Sequence, residues 1–117
     1  MKTEPLTPNP EAGCPVTYCL SMIGGKWKPV ILFCIANGRN RFGTLQRAIP
    51  AVTKQMLTKQ LRELEADGVI TRTVYAEVPP RVDYALSDKG RSLLPVIDAM
   101  RTWGEHAFRS RETVDPR

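Results

Sequence analysis

The stretch TKQMLTKQLRELEAD, residues 53–67, predicts the helix on which the fold and the function depend. Leu57, Leu61 and Leu64 recur at helical spacing and form one narrow apolar stripe. At about 100° per residue, the opposite side is polar and basic. That side carries Gln55, Lys59, Arg62 and Ala66, with Lys54 and Thr58 on its flank. Gln, Thr, Lys and Arg are the side chains that hydrogen-bond base edges and phosphates, so one face is expected to dock on a core and the other to be open to a partner.

The sequence before this helix predicts three shorter ones. The first starts near Pro15 and ends at Gly24-Gly25. The second runs from about Pro29 to Ala36 and is apolar nearly all round, which predicts a central, buried helix. The third covers about 42–48.

Beyond the helix, the period changes from helical to alternating. Residues 69–75 and 81–86 are rich in β-branched and aromatic side chains and predict two strands of a hairpin. The intervening loop contains Pro79-Pro80, which cannot donate to a β-ladder. Ser87 is the expected cap of one last helix running to about Phe108.

This order of elements predicts an α+β, mainly helical fold: a winged helix-turn-helix. A short helix and a turn precede the basic helix, which is the arrangement that places a second helix in the major groove of DNA. The hairpin is the expected wing. On the hairpin, Arg72 and Arg81 are candidates for contact with phosphates or with the minor groove; a solvated surface side chain explains Arg72 equally well.

Length and composition allow one domain. The chain has 117 residues and a net charge of +5, and we expect a domain over 13–108 between a flexible arm, 1–12, and a flexible tail, 109–117. No acidic residue lies between Glu11 and Glu63. Charge alone fits either a surface for a polyanion or an ordinary basic face. No apolar run reaches the roughly 20 residues of a membrane span and no signal peptide is evident, so a soluble, cytoplasmic protein without a membrane partner is expected.

Catalytic and metal-binding chemistry finds little support in the residues. Gly24-Gly25-Lys26 lacks the spacing and the preceding strand of a phosphate-binding loop. His106 has no evident catalytic partner, and three cysteines without a Cys-x-x-Cys pair make neither a disulfide framework nor a zinc site. We therefore expect no enzyme, no metal and no cofactor.

The motifs together resemble one family, the HxlR-type winged helix-turn-helix regulators, which are related to the MarR group. The resemblance covers about residues 13–108. It rests on an ordered set of segments: Cys14-Pro15-Val16, Gly24-Gly25-Lys26-Trp27, Arg41-Phe42-Gly43-Thr44-Leu45, residues 57–65, Asp67-Gly68-Val69-Ile70, residues 78–84, residues 86–90 and Trp103-Gly104. It implies a homodimeric transcription factor that binds an inverted repeat in double-stranded DNA, as a repressor or an activator.

Roles implied by the resemblance fall on particular positions. The recognition-helix positions are Thr53, Lys54, Gln55, Thr58, Lys59 and Arg62. The resemblance also makes Arg41, before the third helix, and Arg81, on the wing, phosphate candidates. Thr53, Lys54 and Gln55, at the helix N-terminus, are best placed for bases, although Thr53 is also explained by capping alone.

The first and last helices carry more apolar surface than the core of one domain needs. The candidates for a two-fold interface are Val16, Leu20, Ile23, Ile97, Met100, Trp103 and Ala107. The alternative is ordinary core, which must hold for the inward-facing half of the set.

Cys14 stands at the start of the first helix, where the helix dipole and free amides stabilise a thiolate. Relatives in the resembling family with a cysteine just before Pro-Val include sensors of oxidants, quinones or aldehydes, which implies a redox or small-molecule effector. The alternative is a buried, inert cysteine, the role expected of Cys19 and Cys34.

A different class of function is also open: a winged helix used for protein assembly or RNA binding without operator specificity. The exposed side of residues 53–67 discriminates between them, because an assembly module would present an apolar or acidic face there.

Overall fold

The computed structural model describes residues 13–114, with side chains described for residues 13–110. Six helices and one antiparallel hairpin follow one another in this part of the chain. They are α1 (Pro15–Ile23), α2 (Lys28–Ala36), α3 (Phe42–Ala48), α4 (Lys54–Ala66), β1 (Ile70–Tyr75), β2 (Arg81–Leu86), α5 (Asp88–Ser92) and α6 (Leu94–Val114). The predicted winged helix-turn-helix is confirmed: α3 and α4 form the helix-turn-helix and β1 and β2 form the wing.

The core is built from one apolar side of each element. The largest completely buried side chains come from α2, α3, α4 and the start of β1: Ile31, Leu32, Leu45, Leu57, Leu64, Val69 and Ile70. The leucine stripe of α4 thus faces inward as its spacing predicts. Burial of such side chains is the main favourable term in folding.

Local signals set the ends of α4. The Thr53 hydroxyl accepts a hydrogen bond from the Met56 N–H at 3.0 Å and caps the N-terminus. Gly68 follows the C-cap Asp67 with φ of +74°, a left-handed conformation that glycine adopts without steric cost.

The hairpin pairs in register from Ile70 with Leu86 to Tyr75 with Arg81. Its base is fixed to the helices at two points. The Ser87 hydroxyl donates to the Gly68 carbonyl at 2.6 Å, and the Tyr84 N–H donates to the Asn40 carbonyl at 2.8 Å. The wing therefore leaves the domain in a defined direction relative to α3 and α4.

Three expectations about the helices are wrong. The last helix is two helices, α5 and α6, separated at Leu93, because Pro95 supplies no N–H to continue the first one. Helix α6 also runs to Val114, so the helix end predicted near Phe108 is wrong. Ion pairs at i,i+4 spacing, Arg101 with Glu105 and Arg109 with Glu105, support this polar portion of α6.

The third correction concerns α2. It is central, but it is not buried all round, since Val30 and Phe33 remain exposed in the protomer. The predicted arm, residues 1–12, lies outside the described residues.

Candidate nucleic-acid interface

The side of α4 opposite the leucine stripe is open to solvent. Thr53, Lys54, Gln55, Lys59 and Arg62 are exposed, and Thr58 is half-buried. Lys54, Gln55, Thr58, Lys59 and Arg62 are thus brought together on this side, and Thr53 lies at the N-terminal end of the helix. They present hydroxyl, amide, ammonium and guanidinium groups, which suit base edges and phosphate oxygens.

The N-terminal end of α4 lies beside this face. The Thr53 hydroxyl accepts a hydrogen bond from the Met56 N–H, so Thr53 acts as the N-cap of this helix. Lys54 and Gln55 follow directly in the first turn. A helix N-terminus carries partial positive charge, which adds to the attraction of this end for an anion.

One acidic side chain, Glu63, lies beside these cations. The Glu63 carboxylate lies 3.9 Å from the Lys59 ammonium, a long i,i+4 pair on a well-exposed surface. Such pairs contribute little to stability. Lys59 is consequently available to exchange this contact for a phosphate.

A notch separates α4 from the wing. It is lined by Phe42, Thr58, Leu61, Arg62, Glu65, Arg72 and Tyr84. Arg72 Nε lies 3.4 Å from Glu65 Oε1, so this arginine joins β1 to α4 instead of extending freely into solvent. Tyr84 is half-buried there, and this burial raises the pKa of its hydroxyl, which stays protonated.

The two other candidate phosphate contacts meet at one carboxylate. Arg41 Nε lies 3.2 Å and Arg81 Nε 3.5 Å from the same oxygen of Asp83. Arg81 also stacks over the Tyr75 ring at 3.9 Å from its centroid and lies 3.7 Å from Glu77. The Arg81 side chain is therefore held against the wing and is only partly exposed.

The apolar candidates for an interface divide into two groups. Val16, Leu20, Met100 and Trp103 are exposed in the protomer, Trp103 by 74%. Ile23 and Ile97 are only 4% and 5% exposed and belong to the core, so their assignment to an interface is wrong. They lie on the inner sides of α1 and α6, where other elements of the same chain cover them. Ala107 is half-buried.

Sequence reasoning missed part of this apolar surface. Val30 and Phe33 of α2, with Met100 of α6, line an open apolar cavity of about 300 Å³ between the two helices. The signal was present in α2, because a short helix that is apolar on every side has more such surface than one domain covers.

Cys14 occupies the N-cap of α1, as expected, and is 7% exposed. The backbone N–H of Thr17 lowers the pKa of its thiol by stabilising the thiolate; burial acts in the opposite direction and is outweighed. Cys19 and Cys34 pack against the core. Burial raises the pKa of the Cys34 thiol.

In residues 13–110 no three His, Cys, Asp or Glu side chains gather where they could hold a metal ion. Across residues 13–114 no single helix is both long and apolar enough to cross a membrane; α1 and α2 pass that test only as a pair, with a bend of 70° between them.

A helix-turn-helix with an exposed basic second helix, followed by a two-stranded wing, defines the winged helix-turn-helix class of transcriptional regulator. The sequence profile of the HxlR-like helix-turn-helix family matches residues 22–112. The chain belongs to this family, as its motifs indicate.

Similar proteins agree with this assignment. The HTH-type transcriptional regulator YybR of Bacillus subtilis strain 168 is 50% identical over 98 residues, 84% of this chain and 78% of YybR. The redox regulator HypR in its reduced form superposes with a TM-score of 0.79 at 45% identity, covering 85% of this chain and 98% of HypR. The oxidised form of HypR superposes with a TM-score of 0.76 at 48% identity, covering 80% of this chain and 96% of HypR. Diamide-treated YodB from B. subtilis superposes with a TM-score of 0.67 at 32% identity, covering 80% of this chain and 93% of YodB.

Proposed function

We propose that this regulator binds an inverted-repeat operator in double-stranded DNA as a homodimer, with α4 in the major groove. The observation that carries the proposal is the division of α4 into a buried leucine face and an exposed face bearing Gln55, Lys59 and Arg62. A helix is about 10–12 Å across with its side chains, which suits a major groove about 12 Å wide. The polar, basic character of this face favours DNA over an apolar protein-assembly partner.

Within this assignment, the side chains have different tasks. Gln55, in the first turn of α4, reads a base edge through its amide, and Lys54 and Thr58 flank it. Lys59, Arg62 and Arg41 contact phosphates. Arg72 and Arg81 supply positive charge from the wing. Phosphate contacts fix the position of the protein on the duplex, and base contacts select the sequence.

Homodimer formation follows from the small reach of one recognition helix and from the exposed apolar surface. One such helix contacts few base pairs, whereas two helices related by a two-fold axis, about 34 Å apart, read both halves of an inverted repeat. Exposed apolar side chains on α1, α2 and α6, above all Trp103, supply surface that a second protomer would remove from water.

The proposed effector is an oxidant or electrophile that modifies Cys14. Its lowered pKa increases the fraction of the reactive thiolate at neutral pH. The similarity to HypR, a redox regulator known in oxidised and reduced forms, supports this part of the proposal. A non-catalytic, cytoplasmic protein without a cofactor is consistent with these roles and with relatives that are transcriptional regulators.

Selection of bound fragments from genomic DNA tests both parts of the proposal. Wild-type protein is expected to enrich fragments that share an inverted repeat, with half-sites about one helical turn apart. Addition of diamide should change recovery for the wild type and leave it unchanged for Cys14→Ser. Failure to enrich any sequence would overturn the operator proposal, and an equal response of the two proteins to diamide would overturn the role of Cys14 alone.

A further inference from the structure

An acidic side chain lies next to two of the proposed phosphate contacts. The Asp83 carboxylate is close to two guanidinium groups from separate parts of the chain, at 3.2 Å from Arg41 and 3.5 Å from Arg81. Arg41 precedes α3, whereas Asp83 and Arg81 belong to β2. The Arg41 Nε–H donates a hydrogen bond to Asp83 Oδ1.

Backbone hydrogen bonds restrain the residues on both sides of the Arg41–Asp83 pair. Next to Asp83, the Tyr84 N–H donates to the carbonyl of Asn40, the residue before Arg41. The Arg41 N–H donates to the Thr44 hydroxyl at 3.2 Å, which fixes the first turn of α3. A side-chain pair therefore lies directly beside a backbone hydrogen bond, and together they set the position of the wing relative to the helix-turn-helix.

Both guanidinium groups keep surface for a further partner. The Arg41 side chain is half exposed, and Arg81 retains about a third of its exposure while it is stacked on Tyr75. The Asp83 side chain is only 21% exposed. An approaching phosphate would consequently meet the arginines before it meets the carboxylate.

We propose that Asp83 is a positioning residue for DNA binding, because its carboxylate holds Arg41 and Arg81 side by side against one stretch of DNA backbone. The inference rests on the proposed function. Its physical basis is that long arginine side chains lose conformational freedom when they bind, and a partner that restricts them beforehand reduces that loss. The multiple donors of a guanidinium allow it to contact a carboxylate and a phosphate together.

If only charge mattered, removal of the Asp83 carboxylate would strengthen DNA binding, whereas a positioning role predicts weaker binding. Replacing Asp83 by Asn removes one negative charge per protomer from a surface that faces a polyanion, and should therefore strengthen binding if charge is all that matters. A positioning role requires weaker binding despite the more favourable charge. Glu77 offers a matched control, since it also lies near Arg81, at 3.7 Å, whereas the acidic partner of Arg41 among the described residues is Asp83.

The experiment measures affinity for a mixed-sequence duplex of about 40 base pairs over a range of salt concentrations. Asp83→Asn and Asp83→Thr are expected to weaken binding about fivefold and to flatten the dependence of log K on log salt. Asp83→Glu restores most of the affinity, and Glu77→Gln binds as well as or better than the wild type. Thermal unfolding confirms that each variant is folded at the assay temperature.

A further variant separates positioning from a general effect on the fold. In the background Arg41→Ala/Arg81→Ala there is nothing left to position, so Asp83→Asn should reverse its effect and strengthen binding. If folded Asp83→Asn binds the duplex as tightly as the wild type or more tightly, the inference is wrong and the proposed function stands. If the wild type itself binds no duplex DNA, the proposed function fails as well.

Discussion

The Lys28 ammonium lies 2.8 Å from the Glu63 carboxylate and ties the first turn of α2 to the C-terminal part of α4. Only 12% of the Lys28 side chain is exposed, so this pair is better shielded than the others on the recognition helix. One carboxylate oxygen of Glu63 is thereby held against α2, while the other faces Lys59 at 3.9 Å. The pair helps to fix the orientation of α4 relative to the central helix.

The first prediction concerns acid stability. The hydrogen bond from Lys28 lowers the pKa of Glu63. Because the pKa is lower in the folded state, the stabilisation is present above the unfolded value, about 4.3, and is lost as the pH falls through the folded value. Denaturant unfolding of Glu63→Gln should therefore show a shallower loss of free energy of unfolding below about pH 4.3 than the wild type. Lys28→Gln should behave in the same way, since it removes the same pair. Acid limbs parallel to the wild type in both variants would contradict this assignment.

The second prediction concerns Lys59 as a phosphate contact. Lys59→Ala should weaken DNA binding and reduce the slope of log K against log salt by about 0.9 per lost contact, or about 2 for a dimer. Lys59→Arg is the control, because it preserves the charge and should preserve the slope. Fluorescence anisotropy with a labelled duplex at several salt concentrations measures both quantities. An unchanged slope in Lys59→Ala would remove Lys59 from the set of phosphate contacts.

The third prediction assigns base readout to Gln55. Gln55→Ala should lose about 1–3 kcal/mol of discrimination at one base pair in each half-site, and it should leave the salt slope unchanged because no charge is lost. Competition between selected operator variants measures the preference at each position. Gln60→Ala is the matched control, since the Gln60 amide is half-buried and donates to the Met56 sulfur. Equal base preferences for wild type and Gln55→Ala would show that another residue reads the sequence.

The fourth prediction concerns the dimer. Trp103→Glu should shift the protein from dimer to monomer, because a buried, unpaired charge in an interface is strongly unfavourable. Thr102→Glu introduces the same charge about 100° away on α6 and should leave the dimer intact. Light scattering after size-exclusion chromatography measures the mass. A wild type that is monomeric at micromolar concentration, or a dimeric Trp103→Glu, would refute the proposed interface.

The fifth prediction compares two thiols in the same molecule. The Thr17 N–H lowers the pKa of Cys14, whereas burial raises the pKa of Cys34. Cys14 is only 7% exposed, so its lowered pKa favours reaction while its burial limits access. If the thiolate dominates, iodoacetamide at pH 7 should modify Cys14 faster than Cys34 and faster than the thiol of an unstructured peptide, with the rate followed by mass spectrometry. A Cys14 that reacts no faster than the peptide would end its assignment as the sensing residue.

Much of the fold was accessible from local sequence patterns. The spacing of Leu57, Leu61 and Leu64 defined the inner side of α4, and Thr53 and Gly68 marked its ends. The Pro79-Pro80 loop separated the strands of the wing. These features depend on neighbours within a few residues, where periodicity and backbone conformation act directly.

Local sequence patterns did not predict which apolar side chains of α2 and α6 are exposed. Periodicity groups Ile97 with Met100 and Trp103, yet Ile97 is covered by the protomer while the other two are exposed. The apolar character of α2 predicts that Val30 and Phe33 are buried, whereas both side chains are exposed. A pattern tells which side of a helix is apolar, but the packing of the neighbouring helices decides how much of that side is covered.

By itself, the sequence determined the order and type of the elements, the recognition face of α4 and the membership of the family, because each depends on short-range patterns and motifs. Only the tertiary structure decided that Asp83 joins Arg41 to Arg81 and that Glu63 pairs with Lys28. The partners in the first contact are 42 residues apart. Ion pairs across such distances exist only where the packed core brings separate elements together, and no periodicity along the chain encodes that placement.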